Sequence, residues 1–338
     1  TILTGRAQEG DFIETDSGLI FDVKGFIHPP GHVIAFLRYF PDQTGDRTRE
    51  GITYRKIYSL GARLNYLEEN FPELIQYDEI FDRTLSEIPL SRIKIHYQPS
   101  VHLHCLAERH GKDPIEQDTV NLANEITEAA RIPQKAIGVT GSVLVGLYTP
   151  DSDLDLICYG SEASRQVYST LERLRLDPES AIEPYDEKGL RDLYRFRRKD
   201  TEMRYSDFLK VERRKRLQGT YRGRDYYLRL IKDQAEIKSK YGDLRFKQIG
   251  RVTIKAVISD DRESIFTPCT YPIKEVKPLD RQSPLIREIV SYRGRFCEQA
   301  KKDESIIASG EVEQVVGKSE TYCRLILGNR KNDFLTVI

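Results

Sequence analysis

Tryptophan is absent from this chain, methionine occurs once, and no apolar run approaches the length of a membrane span. Nor does the chain open on a basic segment followed by an apolar one, so a soluble, cytoplasmic protein is expected. The five cysteines (Cys105, Cys158, Cys269, Cys297 and Cys323) form no CxxC pair and no short Cys/His spacing. That excludes a sequence-local zinc site and a disulfide framework, and fits reduced thiols. Net charge is missing too: 53 Lys and Arg balance 53 Asp and Glu, so total charge argues neither for nor against a nucleic-acid partner. No internal repeat or low-complexity tract occurs. What remains is a chain of 338 residues, 39% hydrophobic and 31% charged, enough for two or three domains with buried cores. Its 19 tyrosines, scarce Met and many ion-pairing residues resemble a thermophile's composition.

Four segments are expected. Residues 1–60 read as a β-rich module, with the apolar runs Phe12-Ile13, Leu19-Ile20-Phe21 and Val33 to Tyr39 separated by turn residues; Gln43 to Gly51 reads as a hairpin tip. Residues 61–114 read as a helical or irregular connector: Leu60, Leu64 and Leu67 recur at helical spacing, and the pattern stays helical to about Ile88. Residues 115–235 form an α/β core, with a helix over Ile115–Ala130, a buried strand over Ala136–Thr140, a strand over Asp153–Tyr159, a crossover helix over Ser161–Leu174, and a strand over Tyr226–Ile231. Residues 236–338 return to short strands, including separate ones at 305–308 and 313–316, and suggest a barrel or sandwich.

The chemistry lies in Gly138-Val-Thr-Gly141-Ser142, a ten-residue spacer, and Asp153-Leu-Asp155-Leu-Ile. On a strand, Asp153 and Asp155 point to one face and Leu154 and Leu156 to the other. Two carboxylates so close repel each other unless a cation sits between them, and hard oxygen ligands suit Mg²⁺ or Mn²⁺. Gly141 lets a phosphate approach the backbone, and Ser142 adds a hydroxyl at the start of a helical turn. These parts suit metal-assisted phosphoryl chemistry.

Gly-Ser, this spacer and Asp-hydrophobic-Asp on a strand resemble the signature of the polymerase-β nucleotidyltransferase superfamily, and the local form is similar to its archaeal-type minimal and predicted members. The likeness covers about residues 115–235. It implies an α+β protein in which a polymerase-β-like nucleotidyltransferase core is flanked by N- and C-terminal β-rich modules. It also implies that Gly141 and Ser142 bind nucleotide phosphates, that Asp153 and Asp155 bind metal, and that a third acid follows on a later strand. Asp225, at the mouth of the strand Tyr226–Ile231, is the favoured third catalytic acid. Asp22, in Ile20-Phe21-Asp22-Val23, and Asp207 are alternatives.

The expected reaction moves a nucleoside monophosphate from an NTP to an acceptor hydroxyl on RNA, protein or a small molecule. The alternatives are a nucleotide- or nucleic-acid-binding protein that keeps the fold without catalysis, and a β-rich interaction scaffold. The basic stretch Arg191 to Arg216, with Tyr194, Phe196, Tyr205 and Phe208, reads either as a polynucleotide surface or as a solvated helix paired with Asp192, Asp200, Glu202, Asp207 and Glu212. One of Lys232, Lys238 and Lys240 could reach a triphosphate. His102-Leu-His104 reads as structural rather than zinc-binding, and His28 and His32 as surface residues. The C-terminal β-region could be an oligonucleotide-binding barrel.

Overall fold

The computed structural model describes residues 6–199, 201, 203–280 and 282–338, with Leu60 described by its backbone alone. Asp200 and Glu202, and the Leu60 side chain of the helical stripe, therefore lie outside the described residues. The chain divides into two compact units. One holds the chain up to Asp78, then Arg83–Glu183 and Gly219–Tyr241; the other holds Glu79–Asp82, Pro184–Gln218 and Gly242–Ile338. No described helix is long and apolar enough to cross a membrane.

The first unit begins with β1 (Phe12–Thr15), β2 (Ile20–Val23), β3 (His32–Pro41), β4 (Arg47–Arg49) and β5 (Ile52–Lys56), then helix α1 (Leu60–Asn70). The strands β6 (Ile75–Asp78), β7 (Arg83–Pro89) and β8 (Ile93–Tyr97) complete an eight-stranded sheet in the order β4-β5-β3-β2-β1-β8, with β7 on β3 and β6 on β7. The hairpin tip is tighter than its polar composition suggests: β4 and β5 join through Glu50-Gly51, both at positive φ (51° and 79°), a turn whose twist suits antiparallel strands. The helical reading of Leu60 to Ile88 is corrected, since the α-helix ends at Asn70 and the rest is largely strand. Leu74 and Ile88 are buried with Val23, Val33, Ala35 and Leu37, and pairing with β3 outweighs the local pattern.

Helices α2 (Pro99–Glu108) and α3 (Pro114–Ala130) follow. Pro114 opens α3, and Asp113 and Glu116 form a capping box that satisfies its first free N–H groups. Next come β9 (Ile137–Val139), the single turn α4 (Gly141–Leu144), β10 (Leu154–Tyr159), α5 (Ser161–Leu174) and β11 (Ile182–Glu183). After α6 (Glu187–Arg197) and α7 (Tyr205–Glu212), β12 (Gln218–Tyr221) and β13 (Arg224–Ile231) complete a second sheet ordered β11-β12-β13-β10-β9. In it β10 runs parallel to β13 and antiparallel to β9. Leu154, Leu156 and Cys158 are buried on the face that α3 and α5 cover, which leaves the opposite face of β10 to Asp155 and its neighbours.

The second unit contains α6, α7, β14 (Arg245–Ile258), β15 (Cys269–Pro278), β16 (Ile286–Ser291), β17 (Ser305–Val316), β18 (Thr321–Leu327) and β19 (Phe334–Val337). Its sheet closes on itself, because β14 pairs with both β15 and β17, giving a ring β14-β15-β16-β18-β17 with β16 parallel to β18. This is a small closed barrel, a layout that leaves few free edges. Residues 305–308 and 313–316 are parts of one strand rather than two.

The basic stretch is largely neutralised within this unit. Arg197 and Lys215 each meet Glu212 at 2.8 Å, Arg195 pairs with Asp192, Arg204 with Asp207, and Arg214 with Glu304. Tyr194 packs on Tyr205 and Phe208 (centroids 5.0 and 5.2 Å apart), while Phe196 is exposed. Ion pairs, not a continuous phosphate track, account for most of these charges.

Candidate active site

Parallel pairing of β10 with β13 sets Leu154 beside Tyr226 and Asp155 beside Tyr227. One step back along the same register, Asp153 stands beside Asp225. Side chains at such paired positions share a face, so two acids from one strand and one from its neighbour open onto the same side of the sheet. The electrostatics agree. Desolvation by the surrounding protein, followed by the like charge of Asp225, holds the Asp153 carboxyl above the usual carboxylate range, although the residue itself is accessible to solvent. Asp155 is half-buried, and burial together with the Asp153 charge pushes it up to about 6.

Gly141 lies directly against this pair. Its φ is +66°, and a Cβ at this position would fall 2.2 Å from Asp155 Oδ2. Only glycine satisfies both the left-handed backbone and the contact. The Thr140 N–H donates to the Asp155 carbonyl (2.9 Å), tying the turn to β10, and Ser142 is buried in α4. The spacer between Gly-Ser and Asp-x-Asp is clamped from several sides. Arg47 donates to the Leu147 carbonyl (2.8 Å) and Ser152 Oγ (3.3 Å), Arg49 donates to the Val145 carbonyl (3.0 Å), and Arg224 donates to the Pro150 carbonyl.

The N-terminal sheet thus takes part in the site without adding a strand to the second sheet. Phe12, Ile20, Tyr39 and Tyr54 share a buried cluster with Leu144, Val145 and Leu147, and the Gly10 backbone rests on Ile157. This brings Arg38 and Lys56 within electrostatic reach of Asp155, and Lys56 and Arg47 within reach of Asp153. Burial, then the neighbouring Arg38, pushes the Lys56 ammonium down to about 8 against the pull of both acids. Sequence reasoning missed Arg38, Arg47, Lys56 and Arg229. No motif marks them, and Lys56 lies almost a hundred residues before Asp153.

Asp22 is also close, but it is already neutralised. Lys24 meets it at 2.8 Å and Arg229 at 3.9 Å, and although it is buried, these cations and Arg38 keep its carboxyl below the usual range. Glu9 joins the same network through Arg229 (3.0 Å) and Lys24 (3.4 Å). Asp207 is engaged by Arg204 on α7. Lys232 lies beside Glu236, and the cations facing Asp153 and Asp155 come from the N-terminal sheet, Arg224 and Arg229 instead. His102 and His104 sit on helix α2, with His104 near Glu108 (3.6 Å). His28 is a structural residue rather than a surface one: its Nδ1 accepts from the Ile34 N–H and its Nε2 bonds the Ala7 carbonyl.

Among the described residues no three His, Cys, Asp or Glu side chains converge closely enough to enclose a metal by themselves. A Mg²⁺ ion rarely needs that, since it keeps waters and takes one or two carboxylates plus substrate phosphates. Hard oxygens that repel one another are a fitting donor set for it.

Two parallel strands that present acids on one face, beside a glycine turn, define a nucleotidyltransferase core. Residues 121–265 match the model of the nucleotidyltransferase domain family. The chain is also 30% identical over 333 residues to the uncharacterised protein MJ1086 of Methanocaldococcus jannaschii, covering 96% of each. No solved structure matches. The chain belongs to the nucleotidyltransferase family of the polymerase-β type.

Proposed function

We propose that the protein transfers a nucleoside monophosphate from an NTP to an acceptor hydroxyl on RNA, protein or a small molecule. The acceptor oxygen bonds to the α-phosphorus, and the bond from that phosphorus to its bridging oxygen breaks. Pyrophosphate leaves with the electron pair, and the hydroxyl proton passes to Asp225 or to water. Gly141 and Ser142 receive phosphate oxygens, the first because no side chain occupies that space. Asp153 and Asp155 would hold Mg²⁺ or Mn²⁺, which when bound supplies positive charge against the triphosphate. Asp225 lies beside Asp153 and is exposed to solvent, so an acceptor hydroxyl can approach it.

One observation carries this reading: the paired registers of β10 and β13 put Asp225 beside Asp153, while Gly141 touches Asp155. A protein that only bound nucleotide would have no need of a third acid there. The test is incubation with each α-labelled NTP and Mg²⁺ in the presence of RNA and protein pools, with Asp225→Asn alongside. Label should pass to one class of acceptor and fall at least about a hundredfold in the variant. Nucleotide binding without any label transfer would favour the non-catalytic alternative.

A further inference from the structure

We propose that the N-terminal β-module is part of the nucleotide site: Arg38 on β3 and Lys56 on β5 form an anion subsite that takes the β- and γ-phosphates of the NTP. The proposal rests on the nucleotidyltransferase reading and deepens it, assigning triphosphate recognition to a module outside the α/β core.

The cations that the N-terminal module brings to this side of the molecule fall into two groups. Arg49 is tied to Glu14 (2.9 Å) and to the Tyr97 hydroxyl, Lys24 to Asp22 and Glu9, and Arg47 to the Leu147 carbonyl and Ser152. Each of these is spent on holding the fold together. Arg38 and Lys56 are different. Among the described residues neither makes an ion pair within 4 Å, and the buried Arg38 Nε has no hydrogen-bond partner. Lys56 is held instead by rings, 5.0 Å from the Tyr58 centroid and 6.0 Å from that of Tyr39. Aromatic faces orient an ammonium without neutralising it. Pairing of Tyr39 with Lys56 across β3 and β5 fixes this position, and the buried cluster that Tyr39 shares with Leu144, Val145 and Leu147 ties it to the segment after the Gly141 turn.

The charge arrangement suits a metal-bound triphosphate. Asp155 feels the charge of both Arg38 and Lys56, yet neither cation forms an ion pair with it within 4 Å, so the positive charge near the acids is not consumed by them. A triphosphate with its cation is the ligand that satisfies both: the metal meets the carboxylates, and the terminal phosphate oxygens meet the guanidinium and ammonium. A nucleoside monophosphate would leave the anion subsite unfilled.

The experiment measures calorimetric affinity for the α,β-methylene analogues of the four NTPs, and for the corresponding NMPs, all with Mg²⁺. It uses the full chain and Lys56→Met, Arg38→Met and Lys56→Arg, with thermal unfolding to confirm that each is folded. The expected result is a loss of roughly ten- to a hundredfold in triphosphate affinity for either methionine variant. NMP affinity should stay unchanged, with Lys56→Arg near wild type. Equal losses for NTP and NMP, or no loss, would overturn the subsite while leaving the nucleotidyltransferase reading intact. If the wild-type chain binds none of the nucleotides, both fall together. Should Arg38→Met fail to fold, Lys56→Met alone decides.

Discussion

Substitution of Gly141 by alanine separates the chemistry of the turn from its backbone strain. The new methyl carbon would stand 2.2 Å from Asp155 Oδ2, 3.0 Å from its Cγ and 3.1 Å from its Cβ. Ordinary contact lies beyond 3.4 Å. The carboxylate must therefore move by roughly 1 Å, a displacement of the size that costs about a hundredfold when it misplaces a reacting group. Alanine at φ +66° adds about 1–2 kcal/mol of backbone strain, partly offset by the stiffer unfolded chain. The net loss of stability is then about 1 kcal/mol, or roughly 2–4 °C in Tm. Gly146 is the internal control. It has the same φ of +66°, but its added Cβ meets only the flexible Arg49 side chain, Cδ at 3.4 Å and Cγ at 3.8 Å. Gly146→Ala should lower Tm by a similar amount and retain transfer, whereas Gly141→Ala should lose about a hundredfold in nucleotidyl transfer, read with an α-labelled NTP. If the two variants transfer label within about threefold of one another, Gly141 is not there to give the carboxylate and phosphate room.

Two further outcomes are expected. Because the folded-state value of Asp155 is raised, the folded protein holds its proton more tightly than the unfolded chain, so this residue costs stability as pH rises from the ordinary carboxylate range through about 6. Asp155→Asn should therefore abolish transfer yet stabilise the fold at pH 8 in metal-free buffer, by at most about 3 kcal/mol and seen as a higher Tm, with no gain near pH 3. A Tm that falls at pH 8 would contradict this. In the second unit, Glu212 lies between the cations of Arg197 and Lys215 and is 4% exposed. Glu212→Gln should cost about 3–5 kcal/mol in urea unfolding, since the buried Lys215 charge is left beside the half-buried Arg197 without the acid they share; a loss under 1 kcal/mol would show that the pairing contributes little.

The Gly-Ser turn and the two acids of β10 were legible because their information is local. Alternation on a strand decides which side chains share a face, a glycine next to a serine after a buried strand marks a turn, and the amphipathic stripes of α3 and α5 lie within single elements, although α5 starts at Gly160 with no side-chain cap from Ser161 or Glu162. Asp225 was legible as an acid at a strand mouth, but its place beside Asp153 depends on parallel pairing across a crossover of more than sixty residues. The strands β6 to β8 were read as helix or connector because their apolar residues carry no clean period of two, and the partners that β7 and β8 find on β3 and β1 lie tens of residues away. The basic stretch could be read in two ways until its partners were seen, since a run of Arg and Lys has the same sequence whether it faces a phosphate backbone or Glu212 and Glu304.

By itself the sequence determined the local pattern on which the proposed chemistry rests: a Gly-Ser turn after a buried strand, and two acids on one face of the strand that follows. Only the tertiary structure decided which charges meet those residues. Lys56 and Arg38 come within electrostatic reach of Asp155 because Tyr39 shares a buried cluster with Leu144 and Val145, joining segments about a hundred residues apart. Asp22 drops out as a third acid because Lys24 and Arg229 neutralise it. Coulomb interactions depend on distance in space and on burial, neither of which follows from position along the chain.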